Sequence, residues 1–97
     1  MKKTIPKKYQ EQIDKAVKIL KEAGCDEIYV YGSILDEDKE ASDIDLAVKG
    51  CPPEKFFKVY SELMFALDYP VDLIDLDRDK DFAEYLISKE KLLNVSW

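Results

Sequence analysis

Three segments of the chain repeat their hydrophobic residues at the three- and four-residue spacing of an amphipathic helix. The first predicted helix lies between Pro6 and Gly24, residue types favoured at the start and just beyond the end of a helix. The second covers about residues 54–67, and the third follows Asp77 or Asp79, either of which can cap it. The three apolar faces consist of Tyr9, Ile13, Ala16, Val17, Leu20 and Ala23, then Phe56, Phe57, Tyr60, Leu63, Met64 and Leu67, then Phe82, Ala83, Leu86 and Ile87.

Three shorter segments predict β-strands, because they are rich in β-branched and aromatic residues or alternate polar with apolar positions. They cover residues 27–31, 43–49 and 71–76, and the tail at residues 92–97 fits a short strand or a docked coil. This order predicts an α/β (α+β) domain: a small mixed sheet of three or more strands with helices packed mainly on one face. The length of 97 residues suits a single domain, residues 1–97.

The composition narrows the classes of function. The net charge of −6 argues against stand-alone binding of DNA or RNA, whose protein partners usually carry a basic face. No apolar run approaches the roughly 20 residues of a membrane span and no signal peptide is found, so a cytoplasmic protein without a membrane partner is expected. Cys25 and Cys51 match no zinc spacing and are expected to be reduced thiols. Because histidine is absent, catalysis must use carboxylates, lysines, hydroxyls or bound metal.

Polar residues at two of the predicted strands suggest a binding site for phosphate and metal. Gly32-Ser33 ends the first strand, and a glycine there lets backbone N–H groups and a hydroxyl approach a phosphate closely. Asp43 and Asp45 lie two positions apart in the second strand, so their carboxylates project from the same face while Ile44 enters the core.

The third predicted strand adds another carboxylate, from Asp72 or Asp75, and alternation alone does not decide between them. Two carboxylates about 4 Å apart repel by about 4 kcal/mol at an effective dielectric constant near 20, so a proton or a cation must relieve the repulsion. Oxygen ligands favour Mg²⁺, which completes its coordination with phosphate oxygens and water, as in phosphoryl or nucleotidyl transfer. The alternative is an unrelated structural domain with an ordinary turn and solvated aspartates.

In order and placement these segments resemble the minimal nucleotidyltransferases of the DNA polymerase β superfamily. The similarity is carried by Tyr31-Gly32-Ser33, by Ser42-Asp43-Ile44-Asp45-Leu46 and by Val71-Asp72-Leu73-Ile74. In that family an Asp-x-Asp pair and a third strand carboxylate bind two Mg²⁺ ions. The resemblance implies that the catalytic and metal-binding residues are Asp43, Asp45 and Asp72, and that the nucleotide-binding residues are Gly32 and Ser33.

The same resemblance implies a reaction and a partner. It predicts transfer of a nucleoside monophosphate, AMP from ATP, to a hydroxyl acceptor. Similar minimal proteins act as antitoxins that pair with a small helical HEPN protein, so a HEPN-type partner is expected, with self-association as a further option. Residues 34–37 read Ile-Leu-Asp-Glu where the family has a small-Arg-Gly segment. The alternative interpretation is therefore a catalytically weak or inactive module that acts as an antitoxin by complex formation.

Overall fold

The computed structural model describes residue 5 and residues 7–35, 43–89 and 92–96. In chain order the regular elements are α1 (Lys7–Glu22), β1 (Glu27–Tyr31), β2 (Ile44–Lys49), α2 (Phe56–Ala66), β3 (Val71–Asp75), α3 (Lys80–Ser88) and β4 (Leu92–Asn94). Short 3₁₀ turns at Gly32–Leu35 and Pro53–Lys55 follow β1 and precede α2. The predicted order of elements is confirmed, and the tail contributes a strand. None of the described helices has the length and hydropathy of a transmembrane segment.

Within the described residues, four strands form one mixed sheet in the order β3-β2-β1-β4. β1 pairs antiparallel with both β2 and β4, whereas β2 and β3 run parallel. A parallel pair needs a crossover connection, and α2 with its preceding turn provides it. The mixed α/β architecture is therefore as predicted, with β4 added at the edge beside β1.

The larger hydrophobic core lies between one face of the sheet and the helices α1 and α2. Alternation along β2 directs Ile44, Leu46 and Val48 to this face, where all three are fully buried. Gln12 of α1 is buried in the same layer, and its amide nitrogen donates to Asp68 Oδ2 at 3.0 Å. The backbone nitrogen of Asp68 in turn donates to the Gln12 side-chain oxygen at 2.8 Å. These two hydrogen bonds fix α1 to the segment that follows α2.

The opposite face of the sheet is partly covered by α3, which packs there on a smaller apolar cluster. Asp79 caps this helix, since its carboxylate accepts a hydrogen bond from the backbone nitrogen of Phe82 at 3.1 Å. Of the two caps that the sequence allowed, Asp79 therefore acts and Asp77 does not. The cluster comprises Tyr31, Ala47, Leu76, Ala83 and Leu86. Two of the three described helices thus share one face, and α3 lies on the face that carries the polar residues of interest.

Candidate active site

The parallel pairing of β2 and β3 places Asp45 directly opposite Asp72. Partners in such a pair project from the same face, and neighbouring strands lie about 4.8 Å apart, so these two side chains are neighbours. Both belong to the face that α3 partly covers. Asp45 is half-buried and Asp72 is exposed. Strand register alone therefore brings together two of the three aspartates that the sequence singles out.

Asp43 lies immediately before β2, one residue outside the strand that the sequence predicts to include it. Its side chain is exposed, and its negative charge acts on Asp45, two positions further along the chain. Asp43 thus adds a further negative charge close to Asp45.

The Asp45 carboxyl combines partial burial with the neighbouring negative charge that the sequence predicts. The pKa of its carboxyl is raised from 3.8 to about 6. Burial is the largest cause, because it removes water from the ionised form, and the charges of Asp72 and Asp43 raise the pKa further. A bound cation would oppose all three effects by favouring the ionised carboxylate.

Gly32 brings the main chain against the Asp45 carboxylate. It begins the turn after β1 with a φ of +83°, a conformation that residues with side chains rarely adopt. A Cβ atom at this position would overlap Asp45 Oδ2, so glycine is what permits the close approach. The turn therefore lies beside the paired aspartates. The Ser33 side chain lies outside the described part of the chain, and its contact with phosphate stays a prediction.

Asp75, the other candidate for the third carboxylate, lies on the opposite face of the sheet. It pairs in register with Val48, a residue of the main core. Its Oδ1 accepts a hydrogen bond from the backbone nitrogen of Asp77 at 2.9 Å, and its Oδ2 lies 4.0 Å from Arg78 Nε. The geometry therefore sets Asp72, and not Asp75, beside Asp45.

Two tyrosines to which the sequence assigned no role at the site contact Asp72. The Tyr31 hydroxyl donates to Asp72 Oδ2 at 3.3 Å, and the Tyr60 hydroxyl lies 3.2 Å from Asp72 Oδ1 and 3.2 Å from the Val71 carbonyl oxygen. Burial and then the charge of Asp72 raise the pKa of Tyr31, and burial likewise raises that of Tyr60. Both hydroxyls therefore keep their protons at neutral pH and act as donors.

The donor atoms at this site suit a hard divalent cation. They are all carboxylate oxygens, the ligands that Mg²⁺ prefers, and a cation would offset the burial and the neighbouring negative charges that raise the pKa of Asp45. Among the residues that the structure describes, no three acidic or cysteine side chains are already gathered as a metal-binding group. The fit therefore rests on the type of donor, on charge and on the pairing of Asp45 with Asp72, with Asp43 as the third candidate ligand.

Comparison with known proteins gives one family and a set of structural neighbours. A family model described as polymerase beta nucleotidyltransferase matches residues 11–95. No curated protein sequence matches the chain. Among solved structures, a toxin-antitoxin with AMP-PNP is similar with a TM-score of 0.69 and 25% identity, over 87% of this chain and 71% of that chain. The toxin-antitoxin MntA-HepT is similar in fold with a TM-score of 0.67 and 24% identity, over 91% and 71%.

A third neighbour has higher sequence identity over a shorter region. It is a complex of tri-AMPylated Shewanella oneidensis HEPN toxin with MNT antitoxin, at 32% identity and a TM-score of 0.54. The match covers 70% of this chain and 56% of that chain. The neighbours are thus repeatedly chains of toxin-antitoxin complexes.

Proposed function

The chain belongs to the polymerase beta nucleotidyltransferase family, and from this premise we propose that it is a Mg²⁺-dependent enzyme that transfers AMP from ATP to a hydroxyl group. The observation that carries the proposal is the pairing of Asp45 with Asp72 on one face of the sheet, beside the glycine turn after β1. This arrangement sets two carboxylates, the type of ligand that holds the metal ions of nucleotidyl transfer, next to the main chain of Gly32.

In the proposed reaction Asp43, Asp45 and Asp72 would hold two Mg²⁺ ions, which would supply positive charge for the phosphate oxygens. Gly32 and Ser33 bind the triphosphate through backbone N–H groups and a hydroxyl. Asp72 accepts the proton of the acceptor hydroxyl while the oxygen of that hydroxyl forms a bond to the α-phosphorus of ATP. The bond between that phosphorus and the bridging oxygen breaks, and pyrophosphate leaves with the electron pair.

We assign the acceptor hydroxyl to a HEPN-type partner, with this chain acting as the antitoxin. The support is the neighbouring complex in which a HEPN toxin is tri-AMPylated and its partner is an MNT antitoxin. The net charge of −6 also favours a protein acceptor over a polynucleotide. We place the reaction in the cytoplasm, a reducing compartment in which cysteines such as Cys25 and Cys51 stay thiols.

A second candidate function, inhibition of the partner by complex formation with little or no catalysis, is favoured by the residues after the glycine turn. Where the family has a small-Arg-Gly segment, residues 34–37 read Ile-Leu-Asp-Glu, which supplies two acids and no arginine. Ile34 is buried in the main core and Leu35 packs against it. These side chains provide no positive charge for a triphosphate, which would weaken nucleotide binding.

Label transfer from ATP distinguishes the two functions. The protein is incubated with Mg²⁺ and its candidate HEPN partner, and with ATP labelled at either the α- or the γ-phosphate. AMP transfer predicts partner labelling from α-labelled ATP only, abolished by EDTA. Because loss of a residue that merely supports a metal ligand already costs 10- to 100-fold in affinity or activity, Asp45→Asn and Asp72→Asn should each reduce labelling by at least about 100-fold.

Asp75→Asn is the matched control, because it changes an aspartate that lies in the same strand as Asp72 but projects from the opposite face of the sheet. Asparagine keeps the oxygen that accepts from Asp77, so labelling should stay within about twofold of wild type. Labelling that survives both Asp45→Asn and Asp72→Asn would refute the assignment of these two aspartates to the active site. A stable complex without any labelling would favour the second function.

A further inference from the structure

The Asp72 carboxylate is held on both of its oxygens by tyrosine hydroxyls from two different elements. Tyr31, at the end of β1, donates to Oδ2 at 3.3 Å, and Tyr60, in the middle of α2, donates to Oδ1 at 3.2 Å. Asp72 itself is exposed, and a free carboxylate at that position would rotate. One donor on each oxygen instead restrains both side-chain torsions and fixes the plane of the carboxylate.

Each tyrosine is in turn held in place by its surroundings. Tyr31 is buried, and its ring meets Phe82 of α3 edge-on with 5.6 Å between ring centroids. Tyr60 is half-buried, and its ring meets that of Phe56 edge-on with 6.1 Å between ring centroids. Its hydroxyl oxygen also lies 3.2 Å from the Val71 carbonyl oxygen, so the hydroxyl proton is shared between this oxygen and Asp72. The two donors are therefore ordered by packing that does not depend on Asp72.

Both hydrogen bonds are long, since O–H···O bonds in proteins cluster near 2.7–2.8 Å. They orient the carboxylate without saturating it, because each carboxylate oxygen can accept two hydrogen bonds or ligands. One acceptor position on each oxygen is used by a tyrosine. The remaining positions are available to a cation shared with Asp45, the register partner of Asp72.

We propose that Tyr31 and Tyr60 are positioning residues that orient Asp72 for divalent cations. This inference rests on the proposed function, because it assumes that Asp72 is a cation ligand. Partners that hydrogen-bond to metal ligands typically contribute 10- to 100-fold to metal affinity. Since both bonds here are long, each of Tyr31→Phe and Tyr60→Phe should weaken cation binding by about 10-fold, at the low end of that range.

Mn²⁺ binding to the nucleotide-free protein tests the inference without measuring activity. The free Mn²⁺ is titrated by electron paramagnetic resonance against wild type, Tyr31→Phe, Tyr60→Phe, Asp72→Asn and a control, Tyr29→Phe. The control removes a tyrosine–carboxylate hydrogen bond of the same kind, from Tyr29 to Glu27 Oε1 at 2.6 Å. It should leave Mn²⁺ affinity within about twofold of wild type. Circular dichroism verifies that each variant is folded.

A double-mutant cycle in EDTA gives a second readout that a merely structural tyrosine would not produce. If the Tyr60 hydroxyl acts on Asp72, the changes in unfolding free energy of Tyr60→Phe and Asp72→Ala are non-additive. Weaker Mn²⁺ binding by both phenylalanine variants together with non-additivity supports the inference.

The outcomes separate the two proposals. Normal Mn²⁺ binding by both phenylalanine variants, with binding lost in Asp72→Asn, overturns the role of Tyr31 and Tyr60 but leaves the proposed cation site intact. Equal Mn²⁺ binding by wild type and Asp72→Asn overturns both. Strict additivity of Tyr60→Phe with Asp72→Ala also overturns the role given to Tyr60.

Discussion

Replacing Asp45 with asparagine should stabilise the metal-free protein at neutral pH, although the same change should abolish the proposed reaction. The pKa of Asp45 is raised from 3.8 to about 6 by burial and by the charges of Asp72 and Asp43. The folded state therefore holds the Asp45 proton more tightly than the unfolded chain does. As a result, ionisation of the Asp45 carboxyl lowers the free energy of unfolding progressively as the pH rises from about 4 to about 6. Above about pH 6 the loss stays constant.

The size of this destabilisation follows from the pKa shift and from the exposure of the side chain. A rise from 3.8 to about 6 corresponds to about 3 kcal/mol if the carboxylate is shielded from water. Asp45 is only half-buried, and solvent screens its interaction with Asp72 and Asp43, so we expect about 1 kcal/mol. For a domain of this length, removal of this destabilisation in Asp45→Asn raises the melting temperature by about 4–8 °C relative to wild type.

The assay is urea unfolding in EDTA from pH 4 to pH 8, for wild type, Asp45→Asn and the control Asp75→Asn. The difference in unfolding free energy between Asp45→Asn and wild type should be near zero at pH 4 and should reach its plateau of about 1 kcal/mol above pH 6. Asp75→Asn should not reproduce this pH dependence. The reasoning is refuted if Asp45→Asn is less stable than wild type at pH 7, or if its advantage is independent of pH.

Three further changes test other parts of the fold and the site. Gly32→Ala should lower the unfolding free energy by about 2 kcal/mol or more, because its φ is +83° and its Cβ would overlap Asp45; unchanged thermal stability would contradict this. Gln12→Ala should cost about 1–3 kcal/mol in urea unfolding, because the two hydrogen bonds between the buried Gln12 side chain and Asp68 are lost; an effect below 0.5 kcal/mol would argue against it. Mg²⁺ at 10 times its dissociation constant should stabilise wild type by about 1.4 kcal/mol in thermal unfolding, and no shift at any concentration would count against the cation site.

The elements of this fold were predictable wherever the hydrophobic pattern has a single period. β1 was predicted with its observed ends, and β2 and β3 to within one residue, because β-branched and aromatic content or the alternation of polar with apolar positions marks a strand directly. The tail remained ambiguous, because three residues of β4 are too few to show any period. Its pairing with β1 is instead a long-range interaction that the local sequence does not encode.

The site was predictable as a set of residue types and not as a contact geometry. Alternation could not choose between Asp72 and Asp75, because that choice depends on how β3 pairs with β2 across the α2 crossover. The contacts of Tyr60 were missed for a related reason. Its ring belongs to the apolar stripe of α2, and only the three-dimensional structure brings its hydroxyl to the Asp72 carboxylate.

The electrostatic cost at Asp45 and the proposed cation site follow from the same strand register. A shift of one residue between β2 and β3 would turn Asp72 to the core face and remove it from Asp45. With the register observed, the ionised Asp45 carboxylate destabilises the metal-free fold, and a divalent cation reverses that effect because its field favours ionisation. The sign of the stability change caused by Asp45→Asn should therefore depend on the cation. The variant is more stable than wild type in EDTA and less stable than wild type at saturating Mg²⁺. A purely structural role for Asp45 would leave the order of stabilities the same in both conditions.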